Sequence, residues 1–217
     1  LQTSGESYNY IDRWTTDGTA IYFSSHYYSP EASGYKLYKM TLTGVVSEMD
    51  LLSDNGSSHI FSSNLYGLTS DGTDLFAGMY SYNSGSGSSI KFYRIALQTG
   101  GGGTHTVTPY TTGGDYLGYM NGFEKVGDSL LALYSNKIYE IELTENTTSP
   151  ENWTSRTSGT TKNFWGVAYG NNTFVAVGNN GKIFSSADNE STWTAQTSGI
   201  TTRLNGISFG NNTFVAV

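Results

Sequence analysis

Apolar and polar residues alternate along most of this chain in short runs, which Gly, Asn and Asp interrupt. An alternation with a period of two predicts β-strands rather than helices. Clusters of Gly and Asn separate the clearest runs, as expected for hairpin turns that need positive φ. These runs are Trp165–Tyr169, Thr173–Val177, Lys182–Ser186 and Thr192–Gln196. The pattern predicts four antiparallel strands in one sheet.

A near-duplicate segment shows that this sheet is a repeating unit. Asn163–Val177 reads NFWGVAYGNNTFVAV and Arg203–Val217 reads RLNGISFGNNTFVAV, 40 residues later. The same offset places Trp153 on Trp193 and the Thr-Ser-Gly of 157–159 on that of 197–199. Four strands in a repeat of about 40 residues are typical of one β-propeller blade. We therefore predict an all-β fold of four-stranded antiparallel blades.

The earlier chain follows the same plan, so that five blade starts are visible. Their second strands align on Ile21, Leu75, Leu130, Phe174 and Phe214. Third strands recur as YKLYKMTL at 35–42, IKFYRIAL at 90–97 and KIYEIEL at 137–143. The predicted blades are approximately 6–53, 59–110, 116–156, 163–196 and an incomplete 203–217. Residues 1–217 then form a single propeller domain or an excerpt of one, because two unpaired strands at its end would leave an open sheet edge.

One segment resembles a known repeat. The residues SADNESTW at 186–193 resemble the Asp box of the sialidase (BNR) repeat, with Glu190 where that family has Gly. Residues 166–193 are also similar to blades of sortilin-type and photosystem-assembly-factor propellers. The resemblance implies that the box forms a turn between the third and fourth strands and has a structural role. The residues so assigned are Ser186, Asp188, Thr192 and Trp193.

Composition and charge exclude several classes of function. The net charge is −7 and the 11 Lys and Arg are scattered, which argues against a nucleic-acid partner. There is no cysteine for disulfides or thiolate sites, and no apolar stretch long enough to span a membrane. His26, His59 and His105 are isolated, so neither a metal nor another cofactor is expected.

Sequons for N-glycosylation favour an extracellular or cell-envelope location, since such sites carry sugar only on exported proteins. They occur at Asn55, Asn146, Asn152, Asn171, Asn189 and Asn211.

Two long connections suggest where a ligand binds. The segments 26–34 and 81–89, between second and third strands, are longer than the Gly-Asn-Asn-Gly of blade four. In propellers these loops share a face with the loops that lead into each blade. Aromatic side chains there suit sugar stacking or protein hot spots. The candidate ligand-binding residues are Tyr27, Tyr28, Tyr80, Tyr82, Tyr116 and Tyr119.

The sequence thus predicts a non-catalytic binding or scaffolding module that recognises a glycan or protein through this loop face. Other copies of the chain or other subunits of a surface assembly are further candidate partners. The four arginines stand at unlike blade positions, unlike a sialidase triad. The alternative is a fragment of a propeller glycoside hydrolase or lyase. Its carboxylates would lie outside the chain or among Asp115, Glu124 and Asp128, facing each other at glycosidase separation. An assembly factor that binds another polypeptide is a third possibility, which would require a basic or apolar patch.

Overall fold

The computed structural model describes residues 7–28, 33–53, 61, 65–83, 87–98, 104–110, 112–113, 120–143, 151–152, 154–187 and 192–217. Within them the fold is all-β, built of four-stranded antiparallel blades of the β-propeller kind with one 3-10 turn at Asn179–Gly181. The predicted fold class is confirmed. The chain divides into two compact units, Leu1–Thr111 and Thr112–Val217.

The first unit holds two blades. The first blade has the order β1-β2-β3-β4, formed by β1 (Ser7–Thr16), β2 (Ala20–Tyr28), β3 (Ser33–Thr41) and β4 (Val46–Glu48). The second contains β6 (Leu65–Ser70), β7 (Asp74–Asn83), β8 (Gly87–Ala96) and β9 (His105–Tyr110), with β5 (Leu51–Ser53) added parallel to β9. Residues 51–53, which the sequence groups with the first blade, thus extend the second.

Asp-Gly turns join the first two strands of both blades. The Oδ1 atom of Asp17 accepts hydrogen bonds from the backbone N–H groups of Thr19 and Ala20, at 2.7 and 2.8 Å. Gly18 follows with φ of 87°, which a residue without Cβ adopts readily. Asp71 and Gly72 repeat this arrangement. The carboxylates therefore serve the turns, as the sequence predicts.

The second unit holds blades three and four and the start of a fifth. Blade three consists of β11 (Gly122–Val126), β12 (Ser129–Tyr134), β13 (Lys137–Glu142) and β15 (Thr154–Arg156), beside a parallel pair of β10 (Thr112–Gly113) and β14 (Glu151–Asn152). Blade four consists of β16 (Phe164–Gly170), β17 (Thr173–Gly178), β18 (Ile183–Ser186) and β19 (Thr194–Gln196). The hairpin of β20 (Ile207–Gly210) and β21 (Thr213–Ala216) begins a fifth blade.

The repeated Asn-Asn pairs make the tight hairpins that the sequence predicts. Asn171 and Asn172 have φ of 49° and 53° between β16 and β17. Asn211 and Asn212 have φ of 48° and 62° at the equivalent turn of the fifth blade. Positive φ at both central residues is the signature of the type I′ turn, whose twist matches that of the flanking strands.

Apolar side chains fill the space between neighbouring blades of each unit. In the first unit the core includes Leu37, Leu65, Leu75 and Ile95, all fully or almost fully buried. In the second unit, Leu131, Leu133 and Ile138 of blade three pack with side chains of blade four, among them Phe164, Phe174 and Phe184. Burial of each such side chain contributes about 1.5–3 kcal/mol. This packing holds blades three and four in fixed positions on either side of the loop that joins them.

The segments predicted as long loops in the first unit are mostly strand. His26, Tyr27 and Tyr28 pair with residues 33–35 of β3, and residues 80–83 pair with residues 87–90 of β8. Tyr, Ser and Gly in alternation can extend a hairpin as well as form a loop, so composition alone did not separate the two. Among the described residues, no helix has the length and apolar character needed to cross a bilayer.

Candidate functional site

A lysine occupies the same register position in the third strand of blades one to three and directly before the third strand of blade four. The lysine pairs with the second-strand residue that stands four positions after the residue on which the blades were aligned. The pairs are Ser25–Lys36, Met79–Lys91 and Tyr134–Lys137. In blade four the backbone N–H of Gly178 donates to the carbonyl oxygen of Lys182 at 2.9 Å. The four equivalent lysines are Lys36, Lys91, Lys137 and Lys182. The position follows the turn between second and third strands.

An open groove of about 660 Å³ lies between blades three and four, where two of these lysines are brought together. Its floor and walls are residues 155–162, which run from β15 to β16, together with Asn136, Lys137 and Lys182. The turns between second and third strands and the loop that leads into the next blade therefore meet at the groove. This is the end of the blades at which the sequence predicts a ligand.

Hydrogen bonds hold the loop against the turn of blade three. The hydroxyl of Ser158, which is 5% exposed, donates to the carbonyl of Asn136 at 2.7 Å. The side-chain amide of Asn136 donates to the carbonyl of Thr160 at 3.0 Å. Gly159 lies between them with φ of 73°, a conformation that favours glycine. The Thr-Ser-Gly motif thus stabilises the conformation of this loop, which forms one wall of the groove.

The groove carries a concentration of positive charge. Lys137, Lys162 and Lys182 are exposed, and with Arg156 they make up four of the 11 Lys and Arg of the chain. Arg156 is neutralised, because its guanidinium binds Oε2 of Glu140 through Nε at 2.9 Å and through Nη2. Of the carboxylates that the structure describes, none lies within ion-pair distance of the three lysines. The groove therefore presents three ammonium groups without an ion-pair partner among the described residues, and that of Lys137 lies 5.9 Å from the centroid of the Tyr139 ring.

The next repeat builds the same loop without the charges. Forty residues on, Gln196 replaces Arg156 and Thr202 replaces Lys162. Gly199 keeps a positive φ of 74°, and the hydroxyl of Ser198 donates to the carbonyl of Ile200 at 3.3 Å, as that of Ser158 does to Thr160 at 3.4 Å. The two repeats thus share the conformation of this loop, whereas only the loop between blades three and four carries the charged residues.

The described lining of this groove is rich in hydrogen-bond donors. Its side chains are hydroxyls, an amide and cations, apart from Gly159. Among the described lining residues there is no carboxylate, imidazole or thiol. Hydroxyl and ammonium groups donate hydrogen bonds to ligand oxygens, and the ammonium groups add attraction for negative charge.

The sequence did not single out these groove residues. Its candidate residues lie in blades one and two and near the entry to blade three, and their role as ligand contacts stays a prediction. Tyr27, Tyr28, Tyr80 and Tyr82 lie in β2 and β7, with side chains outside the described part of the structure, and Tyr116 and Tyr119 lie outside the described residues altogether. The signal that was available is the lysine that recurs early in each third strand.

The Asp-box segment is described only at its ends. Ser186 is buried at the end of β18, Thr192 is exposed, and Asp188 lies outside the described residues. Trp193 packs against the core between blades three and four, and its indole Nε1 is buried without a hydrogen-bond partner. The structural role predicted for the box stays a prediction.

Two of the predicted glycosylation sequons lie in exposed turns. Asn171 and Asn211 begin the positive-φ turns of blades four and five, and both are exposed. The side chain of Asn152 in β14 is not among those described, and the remaining sequons, Asn55, Asn146 and Asn189, lie outside the described residues.

The carboxylates of the enzymatic alternative are not gathered at the groove. Glu124 lies within β11, and Asp128 lies in the exposed turn between β11 and β12, at the other end of blade three. Asp115 lies outside the described residues, as does His59. His26 packs on the ring of Tyr35, and burial lowers the pKa of His105. Among the described residues, no three metal-ligating side chains form a cluster.

A buried carboxylate in the first strand of blade one is the other polar feature of note. The Oδ2 atom of Asp12 is buried and accepts no hydrogen bond. Burial raises the pKa of Asp12, and the nearby Arg13 and His26 offset only part of this effect. Arg13 itself donates to the carbonyl of Tyr66 at 3.0 Å, which links the first blade to the second.

Comparison with known proteins finds the fold among solved structures. No protein-family model matches the chain, and no curated protein sequence matches it. The uncomplexed acylaminoacyl peptidase of Pyrococcus horikoshii aligns with 96% of this chain and 43% of its own, at 10% identity and a TM-score of 0.51. At this identity the likeness shows the fold alone.

Two further structures give similar values. The orthorhombic crystal form of the same peptidase aligns with 95% of this chain and 42% of its own, at 10% identity and a TM-score of 0.50. Sqt1 of Chaetomium thermophilum aligns with 95% of this chain and 66% of its own, at 9% identity and a TM-score of 0.49. The chain spans less than half the length of the peptidase that it matches.

Proposed function

We propose that this chain is a non-catalytic binding or scaffolding module that holds a glycan or protein ligand at the groove between blades three and four. The observation that carries the proposal is the groove itself, an open space of about 660 Å³ whose described lining consists of hydrogen-bonding side chains without a carboxylate or an imidazole. A ligand pocket typically has a volume of about 300–1,000 Å³. An extracellular or cell-envelope setting is part of the proposal, and the exposed sequons at Asn171 and Asn211 support it.

The groove has the rigidity that a binding site needs. The loop 155–162 is fixed at one side by the hydrogen bonds of Ser158 and Asn136 and at the other by β16, whose Phe164 is completely buried. The backbone N–H of Phe164 also donates to the carbonyl of Ser135 at 2.9 Å. A preorganised site loses little conformational entropy when a ligand binds.

The test is a screen of the whole chain against an array of neutral and acidic glycans and a set of proteins, with a variant that fills the groove. Thr157→Trp places a large side chain in the groove lining, and Thr197→Trp makes the same change at the equivalent exposed position of the next repeat. We expect saturable binding that Thr157→Trp abolishes and Thr197→Trp leaves intact. Binding that survives Thr157→Trp would refute the site, and release of reducing ends from a bound glycan would favour the hydrolase alternative.

A further inference from the structure

We infer that the ligand of this groove is an acidic polysaccharide, one that carries carboxylate or sulfate groups along a sugar chain. The inference deepens the proposed function and rests on it. The starting observation is that folding brings Lys137, Lys162 and Lys182 from separate segments to one groove, where none has an ion-pair partner among the described residues. In a chain with a net charge of −7, this is a local reversal of charge.

Lys137 and Lys182 come from the repeat, and Lys162 adds to them. The first two occupy the third-strand position that every described blade fills with lysine. Lys162 stands between them on the connecting loop, where the next repeat has Thr202. A single exposed lysine needs no partner in the protein, because its ammonium group is strongly hydrated. What favours an anionic ligand is that three such lysines line one groove.

Arg156 belongs to the scaffold of the groove rather than to its free charge. Its guanidinium is held by Glu140, and the other carboxylate oxygen of Glu140 accepts a hydrogen bond from the hydroxyl of Ser129 at 2.9 Å. The pair therefore anchors β15 to β13. An anionic ligand can pair with the ammonium groups of the three lysines without breaking it.

The remaining lining favours a sugar chain over an acidic polypeptide. Protein ligands are usually anchored by apolar or aromatic side chains in fitted pockets. This groove has no apolar or aromatic lining residue, and instead presents the hydroxyls of five Ser and Thr residues and the amide of Asn136. Such groups hydrogen-bond well to the hydroxyls of a sugar. The lysines would bind the acidic groups, and the hydroxyls would bind the sugar between them.

The overall charge of the chain makes the inference testable, since it disfavours indiscriminate attachment of a polyanion. Binding of the whole chain to dextran sulfate, polygalacturonate and neutral dextran would be measured by isothermal titration calorimetry. We expect both polyanions to bind, dextran not to bind, and affinity to fall as salt is raised to about 0.5 M, because salt screens exposed charges.

The register of the blades provides a matched control. Lys137→Gln with Lys182→Gln removes two groove charges, whereas Lys36→Gln with Lys91→Gln removes two charges from the same position in the other blades. Of the control pair, Lys36 is already ion-paired with Glu48 at 3.0 Å. The groove variant should bind the polyanions at least about fivefold more weakly, and the control variant within about twofold of the parent. Circular dichroism and urea unfolding would verify that each variant is folded.

Different failures would be distinguishable. If dextran binds as tightly as dextran sulfate and Thr157→Trp abolishes the binding, the proposed function stands and the inference of an acidic ligand is overturned. Binding of polyglutamate but of neither acidic polysaccharide would overturn the inference in favour of an acidic polypeptide. Equal weakening in the two lysine variants would show that the charge acts outside the groove and would also overturn it.

Discussion

Close contact between neighbouring blades can be tested with one pair of equivalent glycines. Gly166 lies in β16 and Gly206 lies 40 residues later, just before β20. A Cβ on Gly166 would lie 3.0 Å from Cα of Gly206 and 3.0 Å from the backbone N of Ile207, whereas a Cβ on Gly206 would meet nothing within 4 Å. The first strands of blades four and five therefore pack at backbone distance.

The size of the effect follows from that geometry. Carbon atoms normally approach to about 3.5–4.0 Å, so Gly166→Ala requires the two strands to move apart by several tenths of an ångström. No side chain can rotate away, because the atoms in contact are backbone. Overpacking of this kind costs about 1–3 kcal/mol. Gly206→Ala has no such cost and should stabilise by about 0.4–1 kcal/mol, since alanine has fewer unfolded conformations.

Urea unfolding followed by circular dichroism measures both variants. Tryptophan fluorescence gives a second readout, because one of the four tryptophans, Trp165, stacks against the guanidinium of Arg203 at 4.8 Å near the same contact. We expect Gly166→Ala to unfold at lower urea than the parent and Gly206→Ala at the same or higher urea. Two variants of equal stability would refute the close packing of β16 against the fifth blade.

Three further changes test the polar interactions. Asp17→Asn should lower the free energy of unfolding by about 1 kcal/mol at neutral pH. Burial raises the pKa of Asp17, but its four hydrogen bonds outweigh burial and the net pKa is lowered. The difference in stability from the parent should therefore disappear when urea unfolding is repeated below about pH 4. Asp12→Asn should act in the opposite sense, because burial raises the pKa of Asp12. The variant should be more stable than the parent at neutral pH and equally stable below about pH 4, and equal stability at neutral pH would contradict this prediction. Glu140→Gln should lower the free energy of unfolding in urea by about 1–2 kcal/mol, because the ion pair with Arg156 is lost. An unchanged unfolding midpoint would show that the ion pair does not stabilise the fold.

The blade architecture was predictable from the sequence because a repeat makes each strand visible more than once. Strand bounds predicted around Gly170 and Gly178 agree with the observed β16–β18 to within about one residue. The turns were equally clear, because Asn-Asn and Asp-Gly pairs strongly favour turn conformations. Local periodicity and turn chemistry are therefore sufficient for this fold.

The groove was not predictable in the same way, because its charge comes from three separate segments. Lys137, Lys162 and Lys182 look scattered along the chain, and the scatter argued against any basic patch. Only the stacking of blade three on blade four brings them to one place. The sequence also cannot show that Arg156 is already paired with Glu140, since that contact joins strands of one blade across a long connection.

The interpretation of the tyrosine segments shows a different limit. Residues 81–89 read as a loop because Ser and Gly dominate them, yet most of this segment pairs in β7 and β8. Composition favours loops on average, but a long hairpin satisfies the same backbone hydrogen bonds with the same residues. Aromatic residues in such a hairpin remain candidates for ligand contact, and the array screen with Tyr28→Ala and Tyr82→Ala would test them.

The claim that a ligand occupies the groove between blades three and four can be tested most directly by hydrogen–deuterium exchange of the whole chain with and without a galacturonic acid oligosaccharide. Residues 155–162 and the turn at Asn136 line the groove, and residues 195–202 form the same loop without its charges. The account predicts slower exchange at 155–162 and no change at 195–202. Protection of both loops alike, or of neither, would contradict it.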